Sequence, residues 1–322
     1  MVIKTFAPVL IPTLNRFDHF RRCLESLEKC TWAEKTDVYV ALDYPPSEKY
    51  VEGWKKIDSY LLEKEKYNGF KKLYVRRREQ NCGVGKPNSN SSLLLDEVRR
   101  YSDRYIFSED DNEFSPNFLD YINKGLEIYK EDERIFAICG YNYQQIDMKG
   151  YDHEYYFSHE ISAWGYGSWF IDRIDYIRAT VRKPGYLIGL VKSVPMSKFL
   201  SNGTKLCNLL EDIGLAFHGD SYYTYYEWSN NIYCVFPTVS LVRNFGHDGS
   251  GEHCVMIDGY NPFINQIIDE RKTFDSKFDL PIEYNPIIQK KFTKFQTGSF
   301  LKRCQKIMML ILMKLFIKIR RF

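Results

Sequence analysis

The chain has 322 residues, enough for one large or two modest cores. Hydrophobic residues make up 44% and charged residues 27%, and 19 Gly with 12 Pro exclude collagen-like, linker-dominated and broadly disordered chains. Lys and Arg number 45 against 42 Asp and Glu, and a net charge of +3 argues against a uniformly basic nucleic-acid binder.

In chain order, the first half alternates strand and helix patterns, which predicts an α/β domain with a largely parallel sheet. Phe6 to Ile11 reads as a short apolar strand ending in the turn Pro12-Thr13-Leu14-Asn15-Arg16. Phe17, Phe20, Leu24 and Leu27 then recur at helical spacing, with Arg21, Arg22 and Glu25 between them. Val38 to Leu42 is a second strand that delivers Asp43 at its carboxyl end. A charged helix over Val51 to Lys66, a strand over Lys72 to Val75, a break at Asn81-Cys82-Gly83-Val84-Gly85 and a helix over Ser91 to Tyr101 follow. Arg104 to Ser108 is a strand that stops on Glu109-Asp110-Asp111; Pro116 opens the next helix within its first turn, and Ile135 to Cys139 is a further buried strand. Ligands of open α/β sheets sit at the carboxyl ends of strands, and both Asp43 and the acidic triplet fall there.

Beyond residue 150 the alternation fades into the aromatic and glycine-rich run Ser162 to Trp169, helical patches, a strand over Tyr233 to Phe236 and the Gly-rich loop Gly246 to Cys254. No internal repeat and no sharp linker separate the halves, so they are expected to form one compact unit. Aromatic residues reach 16% of the chain, a composition that suits sugar or base stacking and fills cores equally well. The eight cysteines scatter without a C-x-x-C pair and read as reduced, structural residues of a cytoplasmic chain. The opening Met1 to Arg16 carries Pro8 and Pro12 and does not read as a signal peptide.

The end of the sequence differs in kind. Phe300 to Phe322 holds seven Lys or Arg and no acid, and its apolar run, Ile307 to Met313, falls far below the roughly 18 residues a bilayer span needs. On a helical projection the basic residues occupy one half, and Met308, Ile311, Leu312, Leu315, Phe316, Ile319 and Phe322 the other. This predicts a basic amphipathic helix on an anionic membrane surface, with a packing helix as the plainer alternative.

Glu109-Asp110-Asp111 is the strongest chemical feature. Adjacent carboxylates repel, and a hard divalent cation bridging one of them to a diphosphate is a natural reason to keep them together; an acidic turn is the bland alternative. Gly83-Val84-Gly85-Lys86 lacks the spacing of a phosphate loop. Asp220 precedes the aromatic run Ser221 to Trp228, where it could serve as a helix cap or as a general base against aromatic walls. His247 and His253, with Asp248 and Glu252, sit in a Gly-rich loop that could be a surface turn or could close over a metal-bound diphosphate.

The succession Pro12 to Arg16, Ala41-Leu42-Asp43, Asn81 to Gly85, Ser108 to Asp111 and Ala163-Trp164-Gly165 resembles GT-A-fold inverting glycosyltransferases of the family 2-like type. Glu109 to Tyr121 is also similar to a stretch of the N-acetylglucosaminyltransferases of N-glycan synthesis, and Ser240 to Cys254 to one in bacterial surface-polysaccharide transferases. The resemblance implies a GT-A fold over residues 1–258, with a nucleotide-sugar half to about residue 150 and an acceptor half beyond it, an extension over 259–298 and the basic helix over 299–322. It implies that Pro12, Thr13, Asn15, Arg16, Asp43, Asn81, Gly83, Asp110, Trp164 and Gly165 line the donor, that Asp111 with His247 holds Mn²⁺ or Mg²⁺, and that Asp220 is the catalytic base. The expected activity is metal-dependent transfer from a nucleotide-sugar, a UDP-sugar foremost, to a glycan acceptor. The tail suggests that this acceptor is lipid-linked and that the enzyme is peripheral at the inner face of the cell membrane, in surface-polysaccharide synthesis. The alternatives are a sugar-phosphate nucleotidyltransferase and a non-catalytic glycan-binding or membrane scaffold.

Overall fold

The computed structural model describes residues 3–83, 86, 88–201, 209, 219–251, 263–297 and 300–319. Cys207, His253, Glu252 and Cys254, Val84 and Gly85 of the glycine break, and Arg320 to Phe322 of the tail lie outside the described residues.

The first half runs β1 (Val9–Thr13), α1 (Phe17–Glu28), β2 (Asp37–Leu42), α2 (Glu48–Lys64), β3 (Lys72–Arg77), α3 (Asn90–Val98), β4 (Arg104–Phe107), β5 (Asn112–Phe114), α4 (Phe118–Ile128) and β6 (Ile135–Cys139). The second half continues with β7 (Tyr155–Ser158), β8 (Tyr166–Trp169), α5 (Asp172–Val181), α6 (Tyr186–Ser193), α7 (Met196–Ser201), α8 (Gly219–Asn230), β9 (Tyr233–Pro237), β10 (Val242–Asn244), α9 (Pro286–Thr297) and α10 (Phe300–Ile319). Among the described residues, eight strands form one sheet in the order β3-β2-β1-β4-β8-β6-β9-β7, and β5 pairs with β10 in a separate ribbon. Strands β1, β2, β3 and β4 are mutually parallel, and β6 is parallel to β9; β8 and β7 run against their neighbours. The molecule is therefore an α/β fold with a mixed, mostly parallel central sheet.

Strands β1, β2 and β6 read as near-continuous apolar runs because helices cover both faces. Side chains alternate across a strand, so Val9, Ile11, Val38, Val40 and Leu42 join the core with Phe20, Leu24 and Leu27 of α1 and Ile57 and Leu61 of α2. Leu10, Tyr39 and Ala41 face the other way, onto Leu94 and Val98 of α3. Helix α4 carries Phe118, Leu119, Ile122 and Leu126 into the main core. It begins two residues after Pro116, with Asn117 at its cap, so Pro116 lies ahead of the helix and not in its first turn.

The segment over residues 263–297 packs onto the same core through Phe274, Phe278, Ile288 and Phe292. Its Asp269 accepts a hydrogen bond from Asn117 Nδ2 at 3.0 Å. Helix α10 packs partly on α6 and α8: Leu310 is buried in a cluster with Leu187, Leu190, Val191, Tyr225 and Trp228. Lys314 Nζ donates to the carbonyl of Val194. The same helix leaves Met308, Met309, Ile311, Leu312, Leu315 and Phe316 exposed. Among the described residues no helix is long and apolar enough to cross a membrane. Cys23, Cys30, Cys139 and Cys234 are buried free thiols; Cys82, half-buried, and Cys304, exposed, are also free thiols.

Candidate active site

The site begins where the parallel strands end. The Asp43 amide donates to the Thr13 carbonyl at 2.9 Å, which ties the last residues of β1 and β2 together one residue after Pro12. Buried Asn90, at the start of α3, donates Nδ2 to the Ala41 carbonyl at 2.8 Å and fastens the same two strand ends from beside them. The Asp43 carboxylate then gathers the following loop. Its Oδ1 accepts the amides of Tyr44 (2.9 Å) and Cys82 (3.1 Å), and its Oδ2 accepts Asn81 Nδ2 at 3.3 Å. Gly83 turns the chain away at a φ of +66°. Asp43, Asn81 and Gly83 thus stand together at the ends of β2 and β3.

Strand β4 lies on the other side of β1, and the Ser108 amide continues that pairing by donating to the Leu10 carbonyl at 3.0 Å. The acidic triplet therefore emerges next to the Pro12–Arg16 turn. Asp110 and Asp111 are buried. Thr13 Oγ1 donates to Asp110 Oδ2 at 2.7 Å. Arg16, the residue at the N-cap of α1, pairs with Asp110 Oδ1, and its Nη1 stands 2.8 Å from Asp111 Oδ2. The sequence suggests Arg16 as a donor contact; in the structure it answers the two acids. Asn15 shapes the turn by accepting the Phe17 amide at 3.1 Å.

Burial pushes the Glu109 carboxyl up to about 8, with the charges of Asp111, Asp220 and Asp110 adding to the shift. It is therefore protonated at neutral pH. Burial also raises Asp110, while Arg16 and the Thr13 hydroxyl oppose that rise. Asp220 contributes to the rise of Glu109 and so lies within electrostatic reach of that carboxyl.

The β5–β10 ribbon completes the acid site. Asn112 and Asn244 are register partners. Asn244 Nδ2 donates to Asp111 Oδ1 at 2.7 Å and to Asn112 Oδ1 at 2.9 Å, and the Phe245 amide donates to the Asp111 carbonyl at 2.9 Å. Gly246 follows directly, so close to the acid that a Cβ on it would stand 2.1 Å from Asp111 Oδ2. Asn112 and Asn244 were not singled out in the sequence. A legible signal was the charge pair Glu113 and Arg243, which face each other across the ribbon with Nε to Oε2 at 2.8 Å.

His247 lies next along the chain. Its ring packs against Trp164 (centroids 5.4 Å apart) and Phe263 (4.5 Å). Burial lowers its pKa, against the pull of Asp111 and Asp248, so the imidazole is neutral at pH 7. His19 on α1 holds the loop by a 2.9 Å contact to Asp248. Trp164 also meets Tyr141 edge-on at 4.6 Å. Gly165 has a φ of +73°, and its carbonyl accepts the Gly140 amide at 2.8 Å. Asp220 lies within the first turn of α8 and accepts the Ala163 amide on Oδ2 at 3.3 Å. The Ala163-Trp164-Gly165 bend is thereby fastened to Asp220 at one end and to the strand end of β6 at the other.

A divalent cation is the cofactor that the sequence leads one to expect. Asp111 offers a carboxylate and His247 an imidazole, ligand types that Mn²⁺ or a similar first-row ion accepts. Among the described residues no three His, Cys, Asp or Glu side chains converge into a cage. A cation held by Asp111 and His247 would have to take its remaining ligands from phosphate oxygens and water.

No protein-family model matches the chain, and no curated protein is significantly similar to it. Solved structures align with it at low identity. Residues 1–349 of TarS from S. aureus align over 73% of this chain and 61% of theirs, at 13% identity and a TM-score of 0.37. A structure of TarS aligns over only 25% of its own length, so this chain matches part of that protein. Mannosyltransferase PcManGT from Pyrobaculum calidifontis, in complex with GDP-Man and Mn²⁺, aligns over 70% of this chain and 68% of its own at 11% identity and a TM-score of 0.34. Mouse xyloside xylosyltransferase 1 aligns over 70% and 82% at 9% identity and a TM-score of 0.35. At such scores, a functional reading has to stand on this chain's own residues.

Proposed function

We propose that the chain is a metal-dependent inverting glycosyltransferase that moves a sugar from a nucleotide-sugar, most simply a UDP-sugar, to a glycan acceptor. The observation that carries this reading is the buried Asp110–Asp111 pair at the carboxyl end of the sheet, with His247 beside it and Asp220 within electrostatic reach.

In this reading Asp43 and Asn81 bind the base and ribose, Thr13 and Asp110 orient the ribose or sugar, and Trp164 with Gly165 floors the sugar pocket. Asp111 and His247 would hold the cation, which when bound offsets the charge developing on the diphosphate. Asp220 takes the proton of an acceptor hydroxyl as its oxygen bonds to the anomeric carbon. The bond from that carbon to the diphosphate oxygen breaks on the opposite face, so configuration inverts.

The acceptor reading rests on α10. Its exposed Met308, Ile311, Leu312, Leu315 and Phe316, within a segment of seven Lys or Arg and no acid, suit an anionic lipid surface at the cytoplasmic face and hence a lipid-linked acceptor.

The test is nucleotide release from a panel of UDP-, GDP-, dTDP- and CMP-sugars, with Mn²⁺ or with EDTA. Release of nucleoside diphosphate from one sugar nucleotide, lost with EDTA and reduced at least about 100-fold in Asp111→Ala, is the expected result. Pyrophosphate released from a nucleoside triphosphate would point instead to a nucleotidyltransferase. Run with the exposed Met308, Ile311, Leu312 and Leu315 all changed to Ser, which leaves buried Leu310 in place, the assay should keep donor hydrolysis while flotation with anionic vesicles is lost. Unchanged flotation would overturn the lipid reading.

A further inference from the structure

We propose that Arg16 is the resting counter-ion of the site and competes with the divalent cation for Asp111, so that the cation binds by displacing one arm of the guanidinium. The inference rests on the reading of Asp111 as a cation ligand and goes beyond it by giving Arg16 a role that the reaction scheme does not use.

Three observations support it. First, the two acids and the guanidinium form one buried group. Asp110 and Asp111 are 6% and 4% exposed, and the Arg16 side chain is 18% exposed. An arginine guanidinium stays protonated in proteins. One cation therefore answers two anions. A second cation is welcome in charge terms but finds Asp111 Oδ2 already faced by Nη1 at 2.8 Å.

Second, the two arms are unequal. The arm to Asp110 is a hydrogen-bonded ion pair, and Thr13 holds the other oxygen of the same carboxylate. On the Asp111 side the contact is Nη1 to Oδ2 at 2.8 Å, with poorer alignment than the bond to Asp110. The Asp111 arm is thus the one that can be given up while Arg16 stays anchored.

Third, Asp111 itself is held by groups other than Arg16. Asn244 donates to its Oδ1 and the Phe245 amide to its carbonyl, so the carboxylate keeps its place when the guanidinium lets go. A freed Nη1, at the start of α1, then stands where a diphosphate would reach it. Cation and nucleotide would bind together, the first releasing a donor that the second needs.

The experiment measures Mn²⁺ affinity of the full chain by counting free Mn²⁺ in its electron paramagnetic resonance signal, without nucleotide. Arg16→Gln should bind Mn²⁺ about ten-fold more tightly than the wild type, and the tightening that UDP confers should shrink. Arg16→Lys separates competition from charge. An ammonium is a point charge that cannot span both carboxylates, so this variant keeps the positive charge, stays with Asp110 and should still tighten Mn²⁺ binding several-fold. Wild-type affinity in Arg16→Lys, with tightening confined to Arg16→Gln, would overturn the proposal, as would unchanged affinity in both. Asp111→Asn tests the underlying reading separately: Mn²⁺ binding that survives it would remove Asp111 from the cation site and the competition with it.

Discussion

The two halves of the sheet meet the same demand, strands buried on both faces, with different residues. In β3, β2, β1 and β4 the core is mainly aliphatic, and the polar groups of the site are placed by backbone pairing at adjoining strand ends, as in the bond from the Asp43 amide to Thr13. In β8, β6, β9 and β7 the packing is aromatic: Tyr156 stacks on Phe236 at 5.6 Å, and Tyr155 meets Phe278 at 5.0 Å. Here the side chains of the candidate site hang from loops, Ala163 to Gly165 and Gly246 to Asp248, held in part by side-chain contacts such as those of Asp220 and His19. The parallel half supplies the floor of the candidate site, and the mixed half supplies its walls.

The sharpest way to break this comparison is to remove chemistry from the second half while leaving the first intact. Asp220→Asn preserves an oxygen that can accept the Ala163 amide and removes the proton acceptor. Turnover should fall about 1,000-fold, within the usual range for loss of a general base, while Mn²⁺ and UDP binding stay near wild type. A loss shared equally between binding and turnover would instead make Asp220 a structural fastening of the Trp164 bend.

A substitution at the bend itself should have a smaller effect. Gly165 holds φ at +73°, and a Cβ there would stand 3.0 Å from Val242 Cγ2 and 3.1 Å from the Phe118 ring. Gly165→Ala adds left-handed strain to a tight contact, for an expected loss of about 3 kcal/mol. Chemical denaturation measures it. A loss below about 1 kcal/mol would mean that the bend yields, and that the second half is softer than its packing indicates.

The same division explains what could be read in advance. Helices α1, α2 and α3 and strands β1, β2, β3, β4, β6 and β9 are each written locally, as helical spacing or as an apolar run that ends on a turn. Strands β5, β7, β8 and β10 have three or four residues, several of them polar, glycine or aromatic, and they exist only because a distant strand pairs with them. Asn112-Glu113-Phe114 carries no strand signal of its own; Val242-Arg243-Asn244 supplies it. The candidate site follows suit. Asp43 and the acidic triplet were visible because strand ends are visible. The attachment of Arg16 to Asp110 and Asp111, and of Asn244 to Asp111, depends on the packing of β4 and β10 against elements far away in sequence.

The smallest effect concerns stability in the aromatic half, away from the site. His159 follows β7 and is buried; its Nδ1–H donates to the Ile232 carbonyl at 2.7 Å, and its ring stacks on Tyr233 at 4.5 Å. Burial lowers its pKa from 6.5 to about 4, the bond to Ile232 opposes this, and Lys198 adds to it. Between those two values the unfolded chain binds more protons than the folded one. The contribution is therefore complete above the unfolded value and is lost as pH falls through 6.5 toward 4. Near pH 5 the loss relative to neutral pH is about 2 kcal/mol. Urea unfolding at the two pH values should show the wild type losing about that much more than His159→Asn, which has no proton to gain. Equal losses in both proteins would place the acid sensitivity elsewhere. The walls would then be no less tolerant of acid than the aliphatic floor, whose core holds no histidine among the described residues.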